Sequence, residues 1–205
     1  MIITRLENFE KNKVKIFVDD LLDDEIIYVK DNGYFCFLYK TEIYKYKLKV
    51  GSEINKELLN KILDNLKSRT NNKCEAILSR NNQTKKSLYD KLILKGYNPF
   101  FIDLSIQKME EYGYINDYQF ATDYFENNKN KKSLKIIKQT LLYKGIPNEI
   151  LEDIIDEDFN QDDIVQSLIN KKLKGRDWDA LDYKEKSKIK SYIYSKGYKF
   201  PNNLI

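Results

Sequence analysis

The sequence predicts a mainly α-helical protein, tandem three-helix repeats forming a helical array, preceded by a small antiparallel β-rich extension at the N-terminus. Three observations predict it. Strand-type alternation is confined to the first 50 residues, helical periodicity occupies the rest, and a Lys-Gly pair recurs at 95–96, 144–145 and 196–197, at spacings of 49 and 52 residues. The chain of 205 residues suits one domain or two small ones, and its 41% hydrophobic, 33% charged and 13% aromatic composition is that of a globular protein with its own core.

Val14, Ile16 and Val18 alternate with Lys15, Phe17 and Asp19, the period of a half-buried strand. The run Ile26, Ile27, Tyr28 and Val29 and the segment Tyr34 to Leu38 flank Asp31-Asn32-Gly33, a turn-residue cluster that predicts a hairpin. From Glu42 the period becomes helical. Gly51 then reads as a stop and Ser52 as the N-cap of a helix whose apolar face is Leu58, Ile62, Leu63 and Leu66.

Seven and three residues before each repeated Lys stand aliphatic pairs, Leu88 and Leu92, Ile137 and Leu141, Ile189 and Ile193, which share one helix face. The glycine ends that helix in the left-handed conformation, and the lysine sits where the helix dipole favours a cation. Tyr97, Ile146 and Tyr198 follow, and Pro99, Pro147 and Pro201 are placed to open the next helix. In the first unit that helix carries Ile102, Ile106 and Met109 inward and ends at Gly113; Asp117 is read as the N-cap of a third, with Phe120, Ala121 and Tyr124 inward. The second unit repeats the plan with Leu151, Ile154 and Ile155, then from about Asp162 with Val165, Leu168 and Ile169. The organisation expected is a β-rich extension over 1–50, a first helical unit with its lead-in helix over 51–125, a second over 126–175 and a partial third over 176–205.

Histidine is absent, which removes imidazole bases, Ser-His-Asp and Cys-His constellations and the commonest metal ligand. Cys36 and Cys74 stand apart with no Cys-x-x-Cys partner, so reduced buried thiols are expected and no metal site. The seven glycines are isolated, which leaves no phosphate-binding loop. No cofactor is indicated. No run of 18 apolar residues exists, and the start MIITRLENFE lacks the basic and apolar regions of a secretion signal, so a cytoplasmic protein without membrane contact is expected.

The net charge of +4 hides a segregation: +1 over residues 1–78, +5 over 79–145, −8 over 146–165 and +6 over 166–205. Basic stretches attract phosphates, and the acidic band suits a basic protein or holds nucleic acid away. Two lysine groups are the candidate nucleic-acid or filament contacts. Lys131, Lys135 and Lys138 fall on one predicted helix face, and Arg80, Lys85, Lys86 and Lys91 form a parallel group in the first unit, with Tyr89 and Tyr143 nearby as rings on which bases could stack. The bland reading of both groups is a solvated helix face in a lysine-rich chain. Lys184, Lys186, Lys188 and Lys190 alternate around a helix and contribute a diffuse field, and Trp178 reads as an anchor between units.

The order of a strand-rich N-terminus, LSRNNQTKKSLYDKLILKGY (78–97), YGYINDYQFATDYF (112–125), KSLKIIKQTLLYKGI (132–146) and SKIKSYIYSKGY (187–198) resembles RecX, the family of regulators of the RecA recombinase. RecX proteins are similar in having tandem three-helix repeats, and members from low-GC bacteria in having an N-terminal β-rich extension. The family signature Gly-hydrophobe-Ile-Asp-Asp-x-x-[FY]-Ala is matched by Gly113 to Ala121 except at Asn116. A second motif, Arg-Ser/Thr-x-x-Glu-Leu, departs further, reading Gln83-Thr84-Lys85-Lys86-Ser87-Leu88 here.

The resemblance implies a non-enzymatic protein lying along the groove of the RecA filament on single-stranded DNA and suppressing its ATPase and strand exchange. Its partners would be that filament and single-stranded DNA, with double-stranded DNA as a further ligand, and the chain would act as a monomer. A helical array is expected to offer a long, shallow surface in place of a pocket. A general helical DNA-binding module acting without RecA is the alternative; an enzyme lacks visible equipment, with few arginines and no clustered carboxylates.

Overall fold

In the computed structural model, which describes residues 1–19, 28–30, 32–156 and 159–201, the chain forms two compact units, Met1–Ile115 and Asn116–Ile205. The first begins with a three-stranded antiparallel sheet in the order β1 (Ile2–Glu10), β2 (Lys13–Asp19), β3 (Tyr34–Tyr39). Val14, Ile16 and Val18 of β2 are buried, as their alternation predicts. Phe17 faces the other way and is buried too, because Arg5 lies 3.9 Å over its ring and Tyr34 meets it edge-on at 5.6 Å.

The hairpin expected across residues 26–38 is corrected for its described part. β3 pairs with β2, with Ile16 opposite Cys36, while Tyr28 and Val29 lie in a turn; Ile26, Ile27 and Asp31 fall outside the described residues. The packing of Tyr28 explains the difference. Its ring meets Phe100 edge-on at 5.0 Å and its carbonyl accepts from Asn98 Nδ2 at 2.7 Å, so it is held by a helix rather than by a strand.

The helices of this unit are α1 (Lys40–Lys45), α2 (Lys56–Leu78), α3 (Lys85–Leu94) and α4 (Pro99–Glu111). α2 starts three residues later than the sequence suggests, and its cap is Asn55, whose Oδ1 accepts from Leu58 N at 2.9 Å. Ser52 instead closes a turn, its Oγ accepting from Lys49 N at 3.0 Å, and its carbonyl takes the Ile3 N–H into the sheet at 2.9 Å. Leu59, Ile62 and Leu66 of α2 join Ile3, Ile16, Phe35 and Leu38 in one core; Phe37 of the same strand joins Cys74, Leu88, Leu92 and Tyr97 in a second. β3 therefore serves both cores, and the extension is built into the first helical unit.

The Lys95-Gly96 turn is where they meet. Gly96 has φ +80°, the left-handed conformation a helix-ending glycine supplies, and the Tyr97 N–H reaches back to Leu92 O at 3.1 Å. The Gly96 carbonyl also accepts from the Tyr34 hydroxyl, and Asn98 Nδ2 donates to Phe35 O. A Cβ on Gly96 would lie 2.7 Å from the Phe9 ring.

The second unit contains α5 (Asp117–Asn128), α6 (Leu134–Tyr143), α7 (Asn148–Ile154), α8 (Asp162–Leu173) and α9 (Tyr183–Ser195). The N-cap of α5 is Asn116, whose Oδ1 accepts from Gln119 N at 2.9 Å; Asp117 is the first helical residue and not the cap. Ala121, Phe125, Ile137, Leu141, Leu151 and Ile155 form one core, and Val165, Ile169, Leu173, Ile189 and Ile193 another. Trp178 packs in the latter, 5.3 Å from the Phe200 ring. Repeat and packing are thus phased differently: α5, the third helix of the first sequence repeat, shares its core with α6 and α7. The helix foreseen after Pro201 falls outside the described residues.

Candidate nucleic-acid interface

In the first unit, Arg80 is exposed in the turn after α2, and Lys85, Lys86 and Lys91 are exposed on α3. Each of these lysines has a close partner: Lys85 with Glu110, Lys86 with Asp90 and Lys91 with Gln83 Oε1, all at 2.6 Å. Such surface pairs contribute little to stability, but they balance part of the positive field. Tyr89 is half-buried against the second core, and burial, reinforced by Asp103 and Asp90, pushes its hydroxyl above the usual tyrosine range.

The departures from the family motif are local. Thr84 is the N-cap of α3, its Oγ1 accepting from Ser87 N at 3.1 Å and bonding Ser87 Oγ at 2.9 Å, so the cap survives without the glutamate. Gln83, at the family's arginine position, holds the Lys91 ammonium, and a cation still stands beside that position.

In the second unit the lysine row is only partly assembled. Lys135 and Lys138 lie on α6, the first exposed and the second half-buried, whereas Lys131 precedes the N-cap Ser133 in the α5–α6 loop, its N–H closing a turn onto Asn128 O at 2.8 Å. Ser133 stops the helix short of Lys131, so the three do not share one helix face. Lys132, between them, is committed to Tyr124: its Nζ donates to the phenol at 2.9 Å, and that bond, with Thr140, Lys132 and Lys144 nearby, lowers the Tyr124 hydroxyl against the opposing effect of burial. Tyr143, at the end of α6, is 82% exposed.

Lys135 and Lys138 line a half-open cavity of about 790 Å³, with Phe159 and Gln161 before α8, Tyr194 at the end of α9 and Lys199 beyond it. The shallow surface expected of a helical array is thereby corrected in this unit: the end of α9 docks on the start of α6 and leaves a recess beside the contact. A Cβ on Gly197 would lie 2.5 Å from Ser133 Oγ, which shows how closely the two approach. Gln161 fixes the opposite wall. Its Nε2 donates to Lys129 O and Lys132 O, both at 2.9 Å, and its Oε1 accepts from Leu134 N at 3.1 Å, satisfying an orphan donor at the start of α6.

The sequence motifs do not point to Gln161, Tyr194 or Lys199. Gln161 gives no local signal because its partners lie 27 to 32 residues away; Lys199 could have been found as the lysine two residues past the third Lys-Gly pair. Four of the acidic band's eight carboxylates have a structural place. Glu149, Asp162 and Asp163 sit in first helical turns, where the dipole favours carboxylates, and Asp153 accepts from the Tyr118 hydroxyl at 2.7 Å; Glu157 and Asp158 fall outside the described residues. Among the described residues no group of His, Cys, Asp and Glu could hold a metal ion, and no helix is long and apolar enough to cross a membrane.

Over 205 residues the chain is 31% identical to the regulatory protein RecX of Clostridium beijerinckii, covering 96% of this chain and 89% of that protein. The chain belongs to the RecX family. RecX proteins of Clostridium botulinum (strain Eklund 17B) and Caldanaerobacter subterraneus are 30% and 26% identical, the first covering 96% of this chain and 90% of its own, the second 98% and 96%. A crystal structure of a regulatory protein RecX shares the fold, with a TM-score of 0.60 at 19% identity over 99% of this chain and 96% of that one. RecX from Lactobacillus salivarius matches with a TM-score of 0.54 at 26% identity, over 69% of this chain and 92% of that one. No protein-family model matches the chain. The mainly helical architecture with its small N-terminal antiparallel sheet is that of the RecX structures, and a regulatory role follows from the family.

Proposed function

We propose that this chain binds the RecA filament on single-stranded DNA and lowers its ATPase and recombinase activity, with no covalent chemistry of its own. The observation that carries the reading is family membership over almost the whole chain, together with the cationic groups that the family's helical motifs bear here, exposed Arg80, Lys85, Lys86 and Lys91 around α3 and exposed Lys135 with half-buried Lys138 on α6. A filament is part phosphate and part protein, and a chain whose basic segments alternate with an acidic one offers a complement to both. In this reading the chain acts in recombinational DNA repair and the SOS response, as a monomer in the cytoplasm. Lys131, Tyr89 and Tyr143 are secondary contacts: the first extends the α6 field from the loop, and Tyr143 offers the more open ring.

The test is single-stranded-DNA-dependent ATP hydrolysis by RecA from the same organism, titrated with this protein below and up to equimolar ratio. The expected result is inhibition without DNA cleavage in the presence of Mg²⁺ or Mn²⁺. A folded protein that leaves hydrolysis unchanged overturns the proposal and puts the RecA-independent DNA-binding module first.

A further inference from the structure

The cavity of the second unit brings together three features that the helix motifs do not foretell. Three lysines, Lys135, Lys138 and Lys199, line it against one carboxylate, Asp162. Tyr194 stands at the same recess with 59% of its surface exposed, so its ring is accessible to a ligand there. The volume of about 790 Å³ lies within the range of about 300–1,000 Å³ found for ligand pockets, larger than an inorganic anion needs.

We propose that this cavity seats one nucleotide of single-stranded DNA, its phosphate on Lys135, Lys138 and Lys199 and its base on the face of Tyr194. Lysines bind phosphate as point charges without a fixed fork, which suits a backbone held in more than one rotation. An aromatic face accepts any base, so the site is sequence-tolerant. Asp162 opposes a phosphate on its side, so the anion belongs toward α6 and Lys199. An acidic peptide would use the same lysines but would leave the open ring without a role, and the nucleotide is therefore the better fit. The proposal rests on the regulator reading, in which single-stranded DNA is one half of the partner, and adds where this chain touches it.

The experiment is fluorescence anisotropy with a labelled oligo-dT and the full chain, over a salt series. Four proteins are compared: wild type, Lys135→Ala/Lys138→Ala/Lys199→Ala, Tyr194→Ala, and a control triple, Lys171→Ala/Lys184→Ala/Lys188→Ala, that removes equal charge from exposed positions outside the cavity lining. Circular dichroism verifies that each variant is folded. The cavity triple should flatten the slope of log K against log salt by about 0.7, from the one phosphate it no longer neutralises. Tyr194→Ala should weaken binding about 5- to 150-fold with the slope unchanged. The control should lose clearly less at low salt. No binding by the wild type, wild-type behaviour of the cavity triple, or an equal loss in the control overturns the site; displacement by poly-glutamate as readily as by unlabelled oligo-dT assigns it to acidic peptide instead. RecA hydrolysis measured with the same proteins separates the two readings. Cavity-dependent DNA binding with no effect on RecA strikes the regulator reading alone, and inhibition of RecA with cavity-independent DNA binding strikes the site alone.

Discussion

Replacing Gly96 by alanine tests how the N-terminal sheet is seated on the first helical unit. Two costs are expected. Alanine at φ +80° bears the strain of the left-handed region, about 1–2 kcal/mol. Its Cβ would also lie 2.7 Å from Phe9 Cε1 and 3.3 Å from Cζ, so the ring must retreat by about 1 Å to reach ordinary carbon contact. Overpacking of this kind costs about 1–3 kcal/mol, and the total expected for Gly96→Ala is about 2–5 kcal/mol. Gly113 supplies the control. It ends α4 with the same geometry, φ +74° and the Tyr114 N–H on Met109 O at 2.8 Å, but a Cβ there meets nothing within 4 Å.

Gly113→Ala should therefore show the strain alone, about 1–2 kcal/mol. Urea unfolding followed by circular dichroism, with midpoints compared at constant m, measures both variants. A cycle with Phe9→Ala isolates the contact: in that background Gly96→Ala should fall to the Gly113→Ala value, leaving a coupling of about 1–3 kcal/mol. Equal costs at the two glycines, or no coupling to Phe9, would refute the claim that the sheet rests on this turn.

Asn116 and Asp117 divide the roles of cap and dipole partner, so Asn116→Ala should cost about 0.5–2 kcal/mol in a thermal melt, while Asn116→Asp stays within about 0.5 kcal/mol of the native protein. Asp117→Ala should cost less, about 0.3–1 kcal/mol, and the reverse order would restore Asp117 as the cap. The two cysteines are buried, and burial pushes the Cys74 thiol from 9.0 up to about 11 and Cys36 still higher. Iodoacetamide at pH 8 should leave both unmodified until the chain unfolds. A thiol whose native value is raised stabilises the fold below its unfolded value, so for Cys74 that contribution is full below about pH 9 and is lost as pH climbs through about 11. Rapid alkylation of the folded protein would contradict this burial.

Much of the helical plan was legible because its signals are local. Leu88 and Leu92, Ile137 and Leu141, and Ile189 and Ile193 are all buried, and Gly96, Gly145 and Gly197 all take positive φ, since spacing and backbone conformation are properties of a few consecutive residues. The elements that differ are those where equally good local signals compete. Ser52 and Asn55 both cap well, and the choice went to Asn55 because Ser52 is drawn into the turn that pairs with Ile3. Tyr28 has a strand former's side chain, yet Phe100, Phe101 and Asn98 outbid a strand partner. For the candidate site, the type of residue was legible and its use was not. Lys132 looks like its neighbours in sequence but is turned onto Tyr124, and Lys131 is cut from the row by a serine two residues on.

The Lys-Gly pairs do more than punctuate the repeat. At Gly51, Gly113 and Gly175 an added Cβ would meet nothing within 4 Å, so those glycines serve the turn alone, whereas at Gly96 and Gly197 it would strike another element. A helix end capped by glycine turns sharply and carries no side chain, which makes it a place where another element can dock closely. The first pair receives Phe9 of the sheet, and the third receives Ser133 at the start of α6. One local device thus yields different results according to what docks on it. At Gly96 the docked sheet completes a core. At Gly197 the approach is to Ser133 and Ile136, and Tyr194, Tyr198 and Lys199 line the same recess as Lys135 and Lys138. The cavity is therefore in part a product of the repeat: the flanks of the third Lys-Gly turn and the first turns of the helix on which it rests form two of its walls, and Phe159 to Asp162 with Val165 form the third.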